Sequence, residues 1–267
     1  MKKALNILLA EYAPKWCDKS ANLEYVESTI ATMPEGVDLV VLPEMFSTGF
    51  ITDDHEAIEQ LAEKNTGDTI HRLQQLASKY GVGIAGTFLA RTLNRFYNRA
   101  FFIEPDGSET FYDKRHLFRM GGETKVYSQG SATAPVIRYR GWNIKLIVCY
   151  DLRFPAWCRS THDEPFDLLI VVANWPKARH SAWHTLLAAR AIENECYVCG
   201  VNRRGTDAAD GIDYAADSTS ILNIKGKPVE TSQHHCLRYA SLSIDALASF
   251  REKFPAWKDA DSFTLHL

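Results

Sequence analysis

The feature that most constrains this chain is a strand-length apolar run that stops abruptly at a reactive polar residue, and it occurs three times. Val37–Leu42 halts at Pro43-Glu44, the strand reading of Glu109–Lys114 ends in the lysine, and Ile144-Lys145-Leu146-Ile147-Val148 runs straight into Cys149. Near-continuous apolar strands are buried on both faces, which requires a sheet covered by helices or by a second sheet. In open α/β sheets, ligands collect beyond the carboxyl ends of such strands.

The remaining pattern fits that architecture. Strands are predicted at Ala4–Ala10, Val82–Leu89, Asn98–Glu104, Val136–Arg140, Trp142–Val148, Asp167–Ala173, Cys196–Asn202, Ser218–Ile224 and Leu237–Ile244. Helical spacing marks Asn22–Met33 (Leu23, Val26, Ile30 and Met33 in register) and Asp68–Tyr80, which Gly81 stops. A long helix follows at Ala178–Glu195, and Leu247–Lys253 begins a C-terminal one. Pro105-Asp106-Gly107-Ser108 and Gly141 are turn signals, so antiparallel returns join the parallel units. The expectation is one α/β domain over residues 1–267, with two mixed sheets packed together and helices outside.

Composition narrows the function classes. The net charge of −3 and the lack of a basic run with interleaved aromatics exclude a nucleic-acid partner. No apolar run reaches the ~18 residues that span a bilayer, so no membrane partner is expected. The start, Met1-Lys2-Lys3 followed by Ala4–Ala10, imitates a signal peptide but breaks at Asn6 and meets Glu11 without a small-residue cleavage pattern. Six cysteines without a secretory signal read as reduced thiols, and a cytoplasmic enzyme is the default.

Three motifs mislead. Gly81-Val82-Gly83-Ile84-Ala85-Gly86 matches a dinucleotide fingerprint, but a helix precedes it and a strand follows, the reverse of what pyrophosphate binding needs. Cys196 and Cys199 match C-x-x-C, yet positions three apart on a strand face opposite ways and cannot share a metal. His234-His235-Cys236 lacks a second ligand pair and reads as a surface loop.

A thiol, a carboxylate and an amine delivered at three strand ends carry more weight together than any one alone. Cys149 read singly is a core thiol, Glu44 a cap and Lys114 a solvated charge. Leu42-Pro43-Glu44-Met45-Phe46, Tyr112-Asp113-Lys114-Arg115-His116-Leu117-Phe118 and Cys149-Tyr150-Asp151-Leu152-Arg153-Phe154-Pro155 resemble the three signature segments of the nitrilase (carbon–nitrogen hydrolase) superfamily. Ala173-Asn174-Trp175-Pro176, Ala188–Asn194 and Arg251–Trp257 match in order, so the resemblance covers essentially the whole chain. Within it, Cys-Tyr-Asp-Leu-Arg-Phe-Pro and Glu-Lys-Phe-Pro-Ala-Trp are most similar to bacterial ω-amidases, whereas true nitrile hydrolysers usually carry Cys-Trp-Glu.

The resemblance implies a four-layer α-β-β-α sandwich, commonly paired into homodimers, that needs no metal or organic cofactor. It implies Cys149 as nucleophile, Glu44 as general base, Lys114 as third catalytic residue, and Glu123 at the position of a second glutamate; Glu123 read alone is equally a loop charge. A carboxylate within reach can take the thiol proton, and the developing oxyanion needs donors, for which Lys114 and the backbone N–H of Tyr150 are candidates. A small-molecule amide with a remote carboxylate calls for an arginine fork. Arg153 and Arg119 are candidates, with Phe118, Tyr150 and Trp175 as walls, although Arg153 could equally pair with Asp151. Other branches of the same chemistry remain open (N-carbamoyl amino acid hydrolase, aliphatic amidase, nitrilase), as does a catalytically silent scaffold.

Overall fold

The computed structural model describes residues 4–207, 211–215, 217–234 and 237–267. In chain order the elements begin β1 (Ala4–Ala10), α1 (Lys19–Ala31), β2 (Leu39–Val41), α2 (His55–Leu61) and α3 (Asp68–Tyr80). Next come β3 (Gly83–Thr92), β4 (Arg95–Ile103), β5 (Glu109–Asp113), α4 (Glu123–Val126), β6 (Val136–Tyr139) and β7 (Trp142–Val148). The second half adds β8 (Leu168–Ala173), α5 (His180–Glu193), β9 (Tyr197–Asn202), β10 (Gly205–Thr206) and β11 (Asp213–Tyr214). The last are β12 (Ser220–Leu222), β13 (Ser232–His234), β14 (Leu237–Ser243) and α6 (Ile244–Lys253).

Two mixed sheets result, one ordered β13-β14-β1-β2-β3-β4-β5 and the other β12-β9-β8-β7-β6. Their facing sides form one core, in which Leu5, Ile7, Leu39 and Phe102 of the first meet Ile144, Leu146, Ile170 and Val198 of the second. The outer face of the first sheet packs Leu8, Val40, Ile84 and Phe101 against Leu23, Val26 and Ile30 of α1 and Ile70 and Leu73 of α3. On the far side, Leu187 and Ala191 of α5 and Leu247 of α6 cover the second sheet. The expected four layers are therefore present. Within each sheet the parallel strands lie together: β1, β2 and β3 in one, β7, β8 and β9 in the other.

Several expectations shift. Helix α1 starts three residues earlier than its apolar register suggested, because the Asp18 side chain accepts from the Ala21 N–H and caps it there. The α2 helix has too short a pattern to be read from sequence. Leu237–Ser243 joins the first sheet, antiparallel to both β1 and β13, while the preceding β12 lies in the second. Strand β7 passes directly into a 3₁₀ turn at Cys149–Arg153. Gly81 is a left-handed helix C-cap at φ 65°, as the reversed fingerprint implied. Cys196 and Cys199 are both buried free thiols. His234 belongs to β13 rather than to a loop, and His235 and Cys236 lie outside the described residues.

Candidate active site

Glu44 sits just past β2, in a turn whose backbone β3 holds from the side. Thr87 accepts from Met45 N–H through its hydroxyl at 2.8 Å and from Phe46 N–H through its carbonyl at 3.3 Å. The Glu44 carboxylate is then fully engaged. Its Oε1 accepts from Asn98 Nδ2 at 2.7 Å and Lys114 Nζ at 2.9 Å, and its Oε2 from the Asn174 backbone N–H at 2.7 Å.

Lys114 follows β5, where its N–H donates to Asn98 O and its carbonyl accepts from Gly130 N–H, both at 2.9 Å. A Cβ on Gly130 would stand 2.1 Å from Asp113 O, so only glycine lets the 130 backbone brace this strand end. Lys114 Nζ donates to both oxygens of Glu123 at 2.9 Å, and Phe118 N–H donates to Glu123 Oε2 at 2.5 Å. Glu123 is thus no loop surface charge: it is fully buried at the start of α4.

Cys149 lies at the first position of the 3₁₀ turn after β7 with φ 45°, a left-handed conformation that a side-chain-bearing residue adopts at a cost of order 1–3 kcal/mol. Asp151 over-determines it. This buried carboxylate accepts from Val148 N–H at 3.1 Å and Tyr112 Oη–H at 2.8 Å, and from His116 N–H at 3.0 Å, with His116 Nδ1 also 2.8 Å away. The turn that bears the thiol is therefore tied to the segment that bears Lys114. Asp151 is occupied by these groups and does not pair with Arg153.

Asn174, just past β8, links the two halves. Its carbonyl lies 4.0 Å from Cys149 Sγ, while its N–H and side-chain amide hold Glu44. Of the four residues Cys149 keeps the most surface, 9 % exposed as a residue, against 1 % for Lys114 and 0 % for Glu44 and Glu123. A cavity of about 530 Å³ elsewhere, between Arg159–Pro165 and Trp257–Phe263, involves none of the four.

The electrostatics follow from this burial. Desolvation alone would push the Lys114 ammonium down, but Glu123 and Glu44 outweigh it and hold the amine well above the usual lysine range. Glu123 is raised by burial, against the pull of Lys114. Burial, followed by the charge of Glu44, pushes the Cys149 thiol well above its ordinary range, with Lys114 acting the other way. The resting sulfur is consequently a thiol, next to a carboxylate and a fixed ammonium. Such a set can move a proton off sulfur and meet a negative oxygen with a cation.

An aromatic cluster includes Tyr150, the residue after Cys149. Phe118 and Tyr150 rings lie 5.2 Å apart, and Arg153 stacks 4.8 Å above Trp175 and 6.0 Å from Tyr150. Tyr150 N–H lies in the first turn of the 3₁₀ segment, where backbone donors have no acceptor within the turn. Arg119 does not join: it is exposed in the 3₁₀ turn Arg119–Gly121 and makes no ion pair among the described residues. Sequence reasoning gave no role to Asn98, Asn174 or Arg179. Asn174 carried the same strand-end signal as Cys149, and Asn98 is the polar inward residue of an otherwise apolar stretch of β4.

The carbon–nitrogen hydrolase family pattern matches residues 7–251, and the chain belongs to this family. It is 42 % identical over 263 residues to omega-amidase YafV of Escherichia coli (strain K12), covering 98 % of each chain. It is 30 % identical to the 2-oxoglutaramate amidase of Bacillus subtilis (strain 168), covering 90 % of this chain and 91 % of the relative. In structure it superposes on XC1258 from Xanthomonas campestris, a CN-hydrolase superfamily protein with an arsenic adduct in the active site. That TM-score is 0.91 at 40 % identity, over the full length of both chains.

Proposed function

We propose that this enzyme is an amidase that releases ammonia from the ω-amide of a small 2-oxo acid, such as 2-oxoglutaramate or 2-oxosuccinamate, through a thioester on Cys149. The observation that carries the reading is a buried ammonium clamped by two carboxylates beside Cys149, the most exposed residue of the set. The names of the relatives described above support the choice of amide.

In this mechanism Glu44 takes the thiol proton as Sγ attacks the amide carbon, so no standing thiolate is required. The carbonyl oxygen, now negative, is met by Lys114 Nζ and Tyr150 N–H. As the C–N bond breaks, Glu44 returns the proton to the departing nitrogen, ammonia leaves and the acyl group stays on sulfur. Glu44 then deprotonates a water that attacks the thioester; the C–S bond breaks, the acid departs and the thiol recovers its proton. Glu123 keeps Lys114 charged throughout. Arg153 takes the substrate carboxylate, its guanidinium supplying a planar fork of donors.

Ammonia release from 2-oxoglutaramate, with mass spectrometry of an acyl adduct on Cys149, tests this. Cys149→Ala should fold and release none; substantial turnover by that variant sinks the mechanism. Release of carbon dioxide together with ammonia from N-carbamoyl-β-alanine, without turnover of 2-oxoglutaramate, would move the enzyme to the carbamoyl branch.

A further inference from the structure

We propose that Arg179, which no strand-end pattern announces, is a second specificity cation that works with Arg153 to select amides carrying a carboxylate at the far end. This deepens the amidase reading and rests on it.

Arg179 closes the 3₁₀ turn Lys177–Arg179 that leads from β8 into α5. Its guanidinium stands 5.3 Å over the Phe118 ring, and its carbonyl accepts from Trp175 Nε1 at 2.9 Å. Trp175 in turn carries Arg153 on its face, and Phe118 packs against Tyr150, the residue after the nucleophile. Both arginines therefore stand on one aromatic cluster contiguous with Cys149. Both are half-buried, and neither guanidinium makes a hydrogen bond or ion pair among the described residues.

That combination is unusual for a resting protein. Partly desolvated cations are ordinarily paired, and two of like sign on one cluster repel unless an anion lies between them. The nearby carboxylates are already committed: Glu44 and Glu123 to Lys114, Asp151 to Tyr112, His116 and Val148, and Asp213 to the neighbouring Lys177. The missing counter-ion is then supplied by the ligand. A 2-oxo carboxylate presents three coplanar oxygens, more than one guanidinium fork can satisfy, and a second fork serves the remainder. Stacking on Phe118 and Trp175 fixes both forks at little entropic cost.

The test compares wild type with Arg179→Met and Arg179→Lys in the full-length enzyme. The ratio of kcat/KM for 2-oxoglutaramate to that for pentanamide, a neutral amide of similar reach, should fall roughly 10- to 100-fold in Arg179→Met, the worth of charge-assisted hydrogen bonds. The loss should lie mainly in KM, and Arg179→Lys should restore part of it. A second readout does not depend on turnover. The product 2-oxoglutarate should protect Cys149 from iodoacetamide in the wild type, at concentrations roughly 10- to 100-fold lower than in Arg179→Met. An unchanged substrate ratio or equal protection overturns the role of Arg179. If the wild type hydrolyses neither amide, the amidase reading fails by itself, while protection still decides whether Arg179 binds a carboxylate.

Discussion

Two glutamates just past adjacent parallel strands, Glu11 after β1 and Glu44 after β2, show how neighbouring positions of one sheet diverge. Both are 0 % exposed. Glu44 has donors on both oxygens: an amide side chain, an ammonium and a backbone N–H. Glu11 has one long contact, Arg238 at 3.4 Å on Oε2, and no partner for Oε1 among the described residues. Burial, opposed mainly by Arg238, pushes the Glu11 carboxyl up to about 7. Burial alone makes a neutral acid; burial with converging donors favours a charged, oriented acceptor. The distinction separates a site from a strand end.

The largest break comes from removing the cation that organises the Glu44 side. Lys114→Met leaves two carboxylates facing each other in the core, as truncating one partner of a buried ion pair does, at a cost of about 3–5 kcal/mol. Loss of an oxyanion donor should lower kcat by ~10²–10³ or more. Urea unfolding and ammonia release measure the two effects. The equivalent change beside Glu11, Arg238→Met, should destabilise far less, because that carboxyl simply keeps its proton. Equal destabilisation by the two variants would erase the contrast.

Next in size is Glu44→Gln, read at the sulfur. With the thiol pushed above its ordinary range, alkylation at neutral pH depends on a base to take the proton. Iodoacetamide labelling of Cys149 should slow at pH 7 in Glu44→Gln and recover only at higher pH. Glu11→Gln should label like wild type. Labelling at the wild-type rate in Glu44→Gln would remove the base from the mechanism.

This contrast also marks what sequence could disclose. The Glu44, Lys114 and Cys149 positions were legible because each ends a strand, and strand ends are written locally as an apolar run meeting a polar residue. Glu11 carries the identical local signature after Ala4–Ala10 and has no part in the proposed chemistry. What separates them is partners 54 to 130 residues away, Asn98, Lys114 and Asn174, and no periodicity encodes those. The tie between Asp151 and Tyr112, 39 residues apart, was hidden for the same reason. Arg179 was masked by a boundary: a helix read as starting at Ala178 absorbs it, whereas the chain first makes a 3₁₀ turn and α5 begins at His180. Both sheets and the helical layers were readable, yet which sheet receives Leu237–Ser243 was not, since its partner β1 lies at the opposite end of the chain.

The smallest expected effect tests the Glu11 side alone. A carboxyl raised from 4.5 to about 7 on folding binds more protons in the folded than in the unfolded state between those values. Its stabilising contribution is therefore complete below pH ~4.5 and is lost as pH rises through about 7. Glutamine mimics the protonated acid and does not titrate, so Glu11→Gln should gain stability relative to wild type over that interval. Groups common to both proteins cancel in the difference. Melting temperatures of the pair, measured from pH 4.5 to 8, should draw level at the acid end and separate in favour of Glu11→Gln at the other. Parallel curves would mean that Glu11 is ionised in the folded protein, and that Arg238 at 3.4 Å suffices to offset its burial.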